Sequence, residues 1–194
     1  MDWSVIASSF IVALATITSI LLKEYFQSKR KNVNCSIQDF TQKSQNIQKA
    51  LDFLMNRIKA DRIYVYEFHN GDHFYSGSGQ QKFSCTYESL GPGVSSETLN
   101  LQNLRMSTFN KYIKQLFDED SFSFINDKTE TPIALQNWFA NRGITSNYAR
   151  VIKTLKGEVI GALCIDFTNH TRELSKEEIY DIKCQARLIG GYLI

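Results

Sequence analysis

The chain has 194 residues, enough for one domain plus an accessory segment and short of two full domains. Hydrophobic residues make up 43% and charged residues 22%, ordinary globular usage that argues against disorder. The 22 Lys and Arg against 20 Asp and Glu leave a formal net charge of +2, so no strongly basic surface speaks for a nucleic-acid partner.

From Trp3 to Leu22 (WSVIASSFIVALATITSILL) there is no charged residue. A run of about 20 apolar residues suffices to cross a ~30 Å hydrocarbon core, and its Ser and Thr hydroxyls can bond back to helix carbonyls. Lys23, Lys29, Arg30 and Lys31 follow the run, whereas Asp2 precedes it. The expectation is a transmembrane helix over residues 1–22. The flanking charge would put the N-terminus outside and the remaining chain at the cytoplasmic face of an inner membrane, with the bilayer as partner. A cleaved signal peptide would need a basic start, which Met1-Asp2 lacks.

Residues 23–46 are expected to form a basic juxtamembrane and connecting helix. Phe26, Val33, Ile37, Phe40, Ile47, Leu51, Leu54 and Ile58 recur at alternating three- and four-residue steps, broken at Arg30 and Ser44. This heptad seam suits a parallel homodimer, although Ile47–Ile58 can equally be the first helix of the domain packing on its sheet.

A domain over residues 47–194 follows. Arg62–His69 alternates and reads as a strand, with Ile63, Val65, Glu67 and His69 on one face and Tyr64, Tyr66 and Phe68 on the other. Asn70-Gly71 opens a long polar loop, after which Lys82–Glu88 is a second strand with Phe83, Cys85 and Tyr87 on one face. Gly91-Pro92-Gly93 breaks the chain, and a helix is expected across Leu99–Phe117. Ser121–Ile125 is a short strand and Ile133–Asn141 a short helix ended by Gly143. Ser146–Leu155 and Glu158–Phe167 are strands joined at Lys156-Gly157, the second apolar enough to be central and buried on both faces. Ser175 and Glu178 form a capping box for a last helix. The fold class is therefore α+β: a central antiparallel sheet of about five strands covered by helices.

Cys35, Cys85, Cys164 and Cys184 are scattered, with no C-x-x-C pair, and read as reduced thiols without a disulfide framework or structural zinc. Glu67, His69, Asp72 and His73 form the densest polar cluster. A third strong metal ligand at fixed spacing is missing, so a solvated loop beside one satisfied histidine outweighs a metal site, and no metal or other cofactor is expected. Glu67 with His69 as an acid/base pair is the only catalytic pairing worth naming, and no recognised catalytic motif accompanies it. Glu67 on an apolar strand would be costly to bury alone, and Arg150 on a nearby strand is its expected partner.

The order of elements, with certain local phrases, resembles the GAF domain, a sensory module related to PAS domains. The phrase GITSNYARVIKTLKGEVIGALCIDF, from Gly143 to Phe167, is similar to the family's Gly-x-x-Ser, strand, Gly-containing turn and apolar strand with an internal Gly. LSKEEIYDIKCQARLIGGYL resembles its closing helix, and SFSFINDK its short middle strand. Tyr66–Gly71 is also similar to small GAF-like proteins of bacteria and phages. The resemblance implies a pocket between the sheet and the helices after the middle strand, lined here by Glu67, His69, Tyr87, Asn126, Trp138, Tyr148 and Arg150. The Asn-Lys-x-x-Phe-x-x-x-Asp-Glu pattern of cyclic-nucleotide-binding members is absent, as is a cysteine in the bilin-attachment context. The reading that results is a membrane-anchored, non-catalytic GAF-like sensory or interaction module that dimerises and binds a small ligand or protein partner. The alternative is a holin-like or host-interference protein of a phage, in which the domain is a ligand-free scaffold and assembly of the spans is the activity.

Overall fold

The structure, a computed structural model, describes residues 14–25, 37–74, 76–126 and 130–194. The chain divides into two units, Met1–Gln42 and Lys43–Ile194.

The expected membrane span and the single-pass location drawn from it are corrected. Among the described residues no helix is long and apolar enough to cross a membrane. Residues 14–25 form a helix that runs on through Lys23 and Glu24. Thr18 donates to the carbonyls of Leu14 and Ala15 at 3.0 Å and Ser19 to that of Ala15 at 2.8 Å, so its hydroxyls are turned back onto the backbone. Trp3–Ala13, Phe26, the basic Lys29–Lys31, Val33 and Cys35 lie outside the described residues. The membrane-assembly alternative finds no support among the described residues.

In the second unit, alternating apolar side chains generate six strands: β1 (Arg62–His73), β2 (Gly79–Leu90), β3 (Leu104–Arg105), β4 (Ser121–Ile125), β5 (Ser146–Lys153) and β6 (Val159–Phe167). They pair antiparallel in the order β3-β2-β1-β6-β5-β4. The sixth strand, beyond the five expected, is the two-residue β3. The helices are α1 (Ile37–Ile58), α2 (Asn110–Glu119), α3 (Ile133–Asn141) and α4 (Lys176–Tyr192), and a 3₁₀ turn at Met106–Phe109 leads into α2. As its apolar run requires, β6 is central, and it is buried from Gly161 to Phe167.

The sheet separates two cores. On one face Ile63, Val65, Leu163, Ile165 and Ile152 meet Ile47, Leu51, Leu54 and Ile58 of α1 and Ile182, Ala186 and Ile189 of α4. The C-terminal half of the heptad seam is thus spent on the domain's own sheet, where each fully buried Leu or Ile is worth roughly 1.5–3 kcal/mol. On the other face Tyr64, Tyr66, Phe83, Cys85 and Cys164 meet Tyr112 and Leu116 of α2 and Leu135 and Phe139 of α3. The Ser175–Glu178 capping box opens α4 as expected.

Two departures have local causes. Thr86 is an extra residue in β2, because Val65 pairs with Tyr87 while Tyr66 pairs with Cys85. This bulge leaves Phe83 and Cys85 on the aromatic face but turns Tyr87 to the helix face, where its hydroxyl lies 3.1 Å from Ser44 Oγ. The helix expected from Leu99 does not start there. Cys85 N–H donates to the Leu101 carbonyl at 2.7 Å, Gln102 Nε2 donates to the Cys85 carbonyl at 2.7 Å, and Asn103 takes φ 56°, so this segment instead covers the edge of β2.

Gly161 is fixed by close approach, since a Cβ there would stand 2.2 Å from the Tyr66 carbonyl oxygen, which belongs to a paired strand and cannot swing away. Gly161→Ala is expected to lower the unfolding free energy by about 1–3 kcal/mol, read as a lower urea midpoint at unchanged slope.

Candidate ligand-binding site

An apolar strand, VIGALCIDF, delivers one carboxylate, Asp166, into a fully buried position at the end of β6. Burying that charge alone would be prohibitive, and four groups from three segments answer it. Arg142, just past α3, approaches Asp166 Oδ2 at 3.2 Å, and Arg62, at the start of β1, approaches it at 3.5 Å. Asn147 of β5 donates to Oδ1 at 2.6 Å and the Tyr64 hydroxyl donates to it at 3.3 Å. Burial pushes the Asp166 carboxyl up from its ordinary value, opposed by Arg142, Asn147, Arg62 and Tyr64. Neither guanidinium can shed its proton, so the cluster needs the carboxylate charge.

Arg62 also faces Glu88 at 3.2 Å, and both side chains are about 95% buried. Glu88 in turn accepts from the backbone N–H of Glu97 at 3.1 Å and from the hydroxyls of Ser96 and Thr98. Two arginines and two carboxylates thus form a neutral chain running from α3 through β6 and β1 to the β2 edge.

Beside this chain lies a small aromatic cavity of about 10 Å³, walled by Tyr64, Tyr66, Phe109, Tyr112, Trp138 and Asn147 among others. That is room for about one water. The Arg142 guanidinium carbon stands 5.4 Å from the centroids of both the Tyr64 and Trp138 rings, within cation–π range. The Trp138 and Phe109 rings meet edge to face at 4.9 Å. Tyr66 Oη, Arg142 Nε and Nη1, and Asn147 Oδ1 are buried without a hydrogen-bond partner in the protein. Burial raises the Tyr64, Tyr66 and Tyr112 hydroxyls well above the ordinary range and keeps them neutral donors. It also pushes the Cys85 thiol up to about 12 and the Cys164 thiol higher still, so neither is a ready nucleophile.

Of the residues expected to share one pocket, only Trp138 lines this cavity. Asn126 is exposed in the turn after β4. Glu67, Tyr87, Tyr148 and Arg150 belong to the opposite side of the sheet, with the register that places Val65, Ile152 and Leu163 there. The Glu67–Arg150 pair does not form: β6 intervenes between β1 and β5, and Arg150 faces Asp120 at 3.8 Å. His69 is half-buried with Nε2 2.9 Å from Ser84 Oγ, which already accepts the Asn103 N–H at 2.8 Å. Among the described residues no three His, Cys, Asp or Glu side chains come within reach of a common metal ion.

Sequence reasoning missed Tyr64, Tyr66, Asn147 and the Arg142–Asp166 pair. A signal was present, since Asp166 is the only charged residue within an otherwise apolar strand and demanded a partner.

No family model matches the sequence, and no curated protein matches it. Solved structures do. The third GAF domain of Slr1393 from Synechocystis superposes with a TM-score of 0.61 at 15% identity, covering 77% of this chain and 92% of that one. The PixJ GAF domain of Thermosynechococcus elongatus gives 0.62 at 12% identity, covering 81% and 90%. A GAF domain/HD domain protein from Geobacter sulfurreducens gives 0.55 at 15% identity, covering 76% and 89%. The fold is GAF-like, as the order of elements implied.

Asp166→Asn strands two buried guanidiniums, and a loss of about 3–5 kcal/mol in urea unfolding is expected. Adding Arg142→Met should return part of that loss, a positive coupling measurable by a double-mutant cycle.

Proposed function

We propose that this chain is a non-catalytic GAF-like sensory or interaction module that takes a small polar ligand between its sheet and helices α2 and α3. The observation that carries the reading is a set of unpaired buried groups: Tyr66 Oη and Asn147 Oδ1 in the cavity wall, and Nε and Nη1 of Arg142, whose guanidinium lies over the wall residues Tyr64 and Trp138. Native proteins rarely leave such groups unsatisfied, and aromatic walls with few convergent polar anchors are the usual make-up of a ligand site. Three donors outnumber acceptors there, which favours a ligand bearing a carboxylate or another compact oxyanion.

The similar solved structures include a phytochrome GAF domain with bound phycocyanobilin and a protein with bound biliverdin. A cavity of about 10 Å³ has no room for such a tetrapyrrole, and its walls are filled by Tyr64, Tyr66 and Trp138. A ligand of a few heavy atoms, admitted by displacement of α3, fits the space better. The non-catalytic reading is supported by the raised Cys85 and Cys164 thiols and by the engagement of His69 with Ser84.

We further propose that the module works as a homodimer through α1 and α4. Arg57 of α1 bonds Asp181 of α4 at 3.0 Å, which sets the two helices side by side. Phe53 on α1 and Tyr180 and Leu188 on α4 expose 48%, 65% and 50% of their surfaces, apolar surface that a second copy would cover.

Native mass spectrometry of the full chain after exposure to a soluble metabolite extract should show a small-molecule adduct that raises the melting temperature. Arg142→Met and Tyr66→Phe should lose it. A wild-type protein with no adduct and no thermal shift would remove the ligand reading. Light scattering should give a dimer mass for the wild type and a monomer mass for Phe53→Glu; a wild-type monomer at tens of micromolar would sink the dimer.

A further inference from the structure

On the helix-packed side of the sheet, away from the aromatic cavity, a pocket of about 370 Å³ opens between the end of β5, the β5–β6 turn and α4. Arg150 and Lys153 enter it from β5, Lys183 and Arg187 enter it from α4, and Asp120 is its single carboxylate. Asp120 accepts from Lys153 Nζ at 2.6 Å and faces Arg150 Nη2 at 3.8 Å. Lys183 and Arg187 form no ion pair among the described residues. Four cations against one anion leave the concavity with a surplus of three positive charges.

This is not the pattern of a solvated helix face, on which charges of both signs spread outward. Lys183 and Arg187 stand one turn apart on the same side of α4, where like charges repel. They face two further cations contributed by a strand. The two elements are locked together: a Cβ on Gly190 of α4 would meet the Lys153 carbonyl oxygen at 2.3 Å. The backbones that carry the cations are therefore held side by side around one hollow. Two of the cations are arginines, whose planar forks suit tetrahedral oxyanions. At the rim a 92% exposed Leu155 leaves a surface for an organic portion.

We propose that this pocket binds the phosphate groups of a small soluble phosphate ester. The surplus charge matches a di- or triphosphate, and the volume admits a ligand well beyond an inorganic ion. The site shares no residue with the aromatic cavity, so it stands or falls independently of the ligand reading there.

The test is isothermal titration of the full chain with inorganic pyrophosphate at low and at physiological salt. The wild type should bind, more weakly at the higher salt. Lys183→Glu with Arg187→Glu should weaken binding at least about tenfold. Lys49→Glu with Lys111→Glu, an equal charge change on exposed residues of α1 and α2, should leave it unchanged. Circular dichroism melts check folding, and Lys183→Gln with Arg187→Gln carries the same expectation if the reversal does not fold. No heat with wild type, an equal loss in the Lys49/Lys111 control, or binding to phosphatidylglycerol vesicles without binding to pyrophosphate each overturns the proposal.

Discussion

The buried charge of Asp166 is the constraint around which this domain is organised. An apolar central strand with a carboxylate near its end can enter the core only if other segments bring cations to it. Arg142 does so from the exit of α3 and Arg62 from the start of β1. The same neighbourhood is tied by the backbone, since Asp61 N–H donates to the Asp166 carbonyl at 3.0 Å. The Asp61 carboxylate then accepts the backbone N–H groups of Thr168 and Asn169. One charge thereby fixes where β1 begins, where β6 ends and how α3 returns to the sheet. Through Arg62 and Glu88 its influence reaches the loop at Ser96–Thr98.

The fold was largely legible because it rests on signals that survive in a single sequence. The alternation in Arg62–His69, the continuous apolar run before Phe167 and the Ser175–Glu178 box each report a local physical requirement. What was misread depended on partners distant in sequence. Nothing near Thr86 announces a bulge, yet that one extra residue sends Tyr87 to the other face. Leu101 and Leu104 have helical spacing, but Leu101 is held by the backbone of Cys85. Trp3–Leu22 was judged on length and flanking charge, whereas among the described residues no helix is long and apolar enough to cross a membrane.

The site was harder to read than the fold for a related reason. Expected site residues were chosen by type and by proximity to the middle strand, without the register that assigns faces. Tyr148 and Arg150 alternate with Ala149 and Val151, and it is the latter pair that faces the aromatic core. The pairing of β5 with β6, and of β6 with β1, settles which set looks where, and the second of these joins residues roughly a hundred positions apart. By contrast, the Arg142–Asp166 pair spans 24 residues and could have been inferred from the cost of a lone buried carboxylate.

Likeness of fold at 12–15% identity says little about what such a domain recognises, because recognition resides in the side chains that fill the frame. Here the space between sheet and helices is occupied by the chain's own rings. Tyr64 and Tyr66 meet edge to face at 5.0 Å, Tyr66 and Phe83 at 4.7 Å, and Tyr112 and Phe122 at 4.7 Å. Each such contact adds about 0.5–1.5 kcal/mol to the area buried, so enlarging the cavity to chromophore size would forfeit several of them. The polar atoms left unpaired lie at the edge of this aromatic packing, on and beside Arg142. The frame that holds a bilin in one of the similar solved structures is thus filled in this chain by its own aromatic rings.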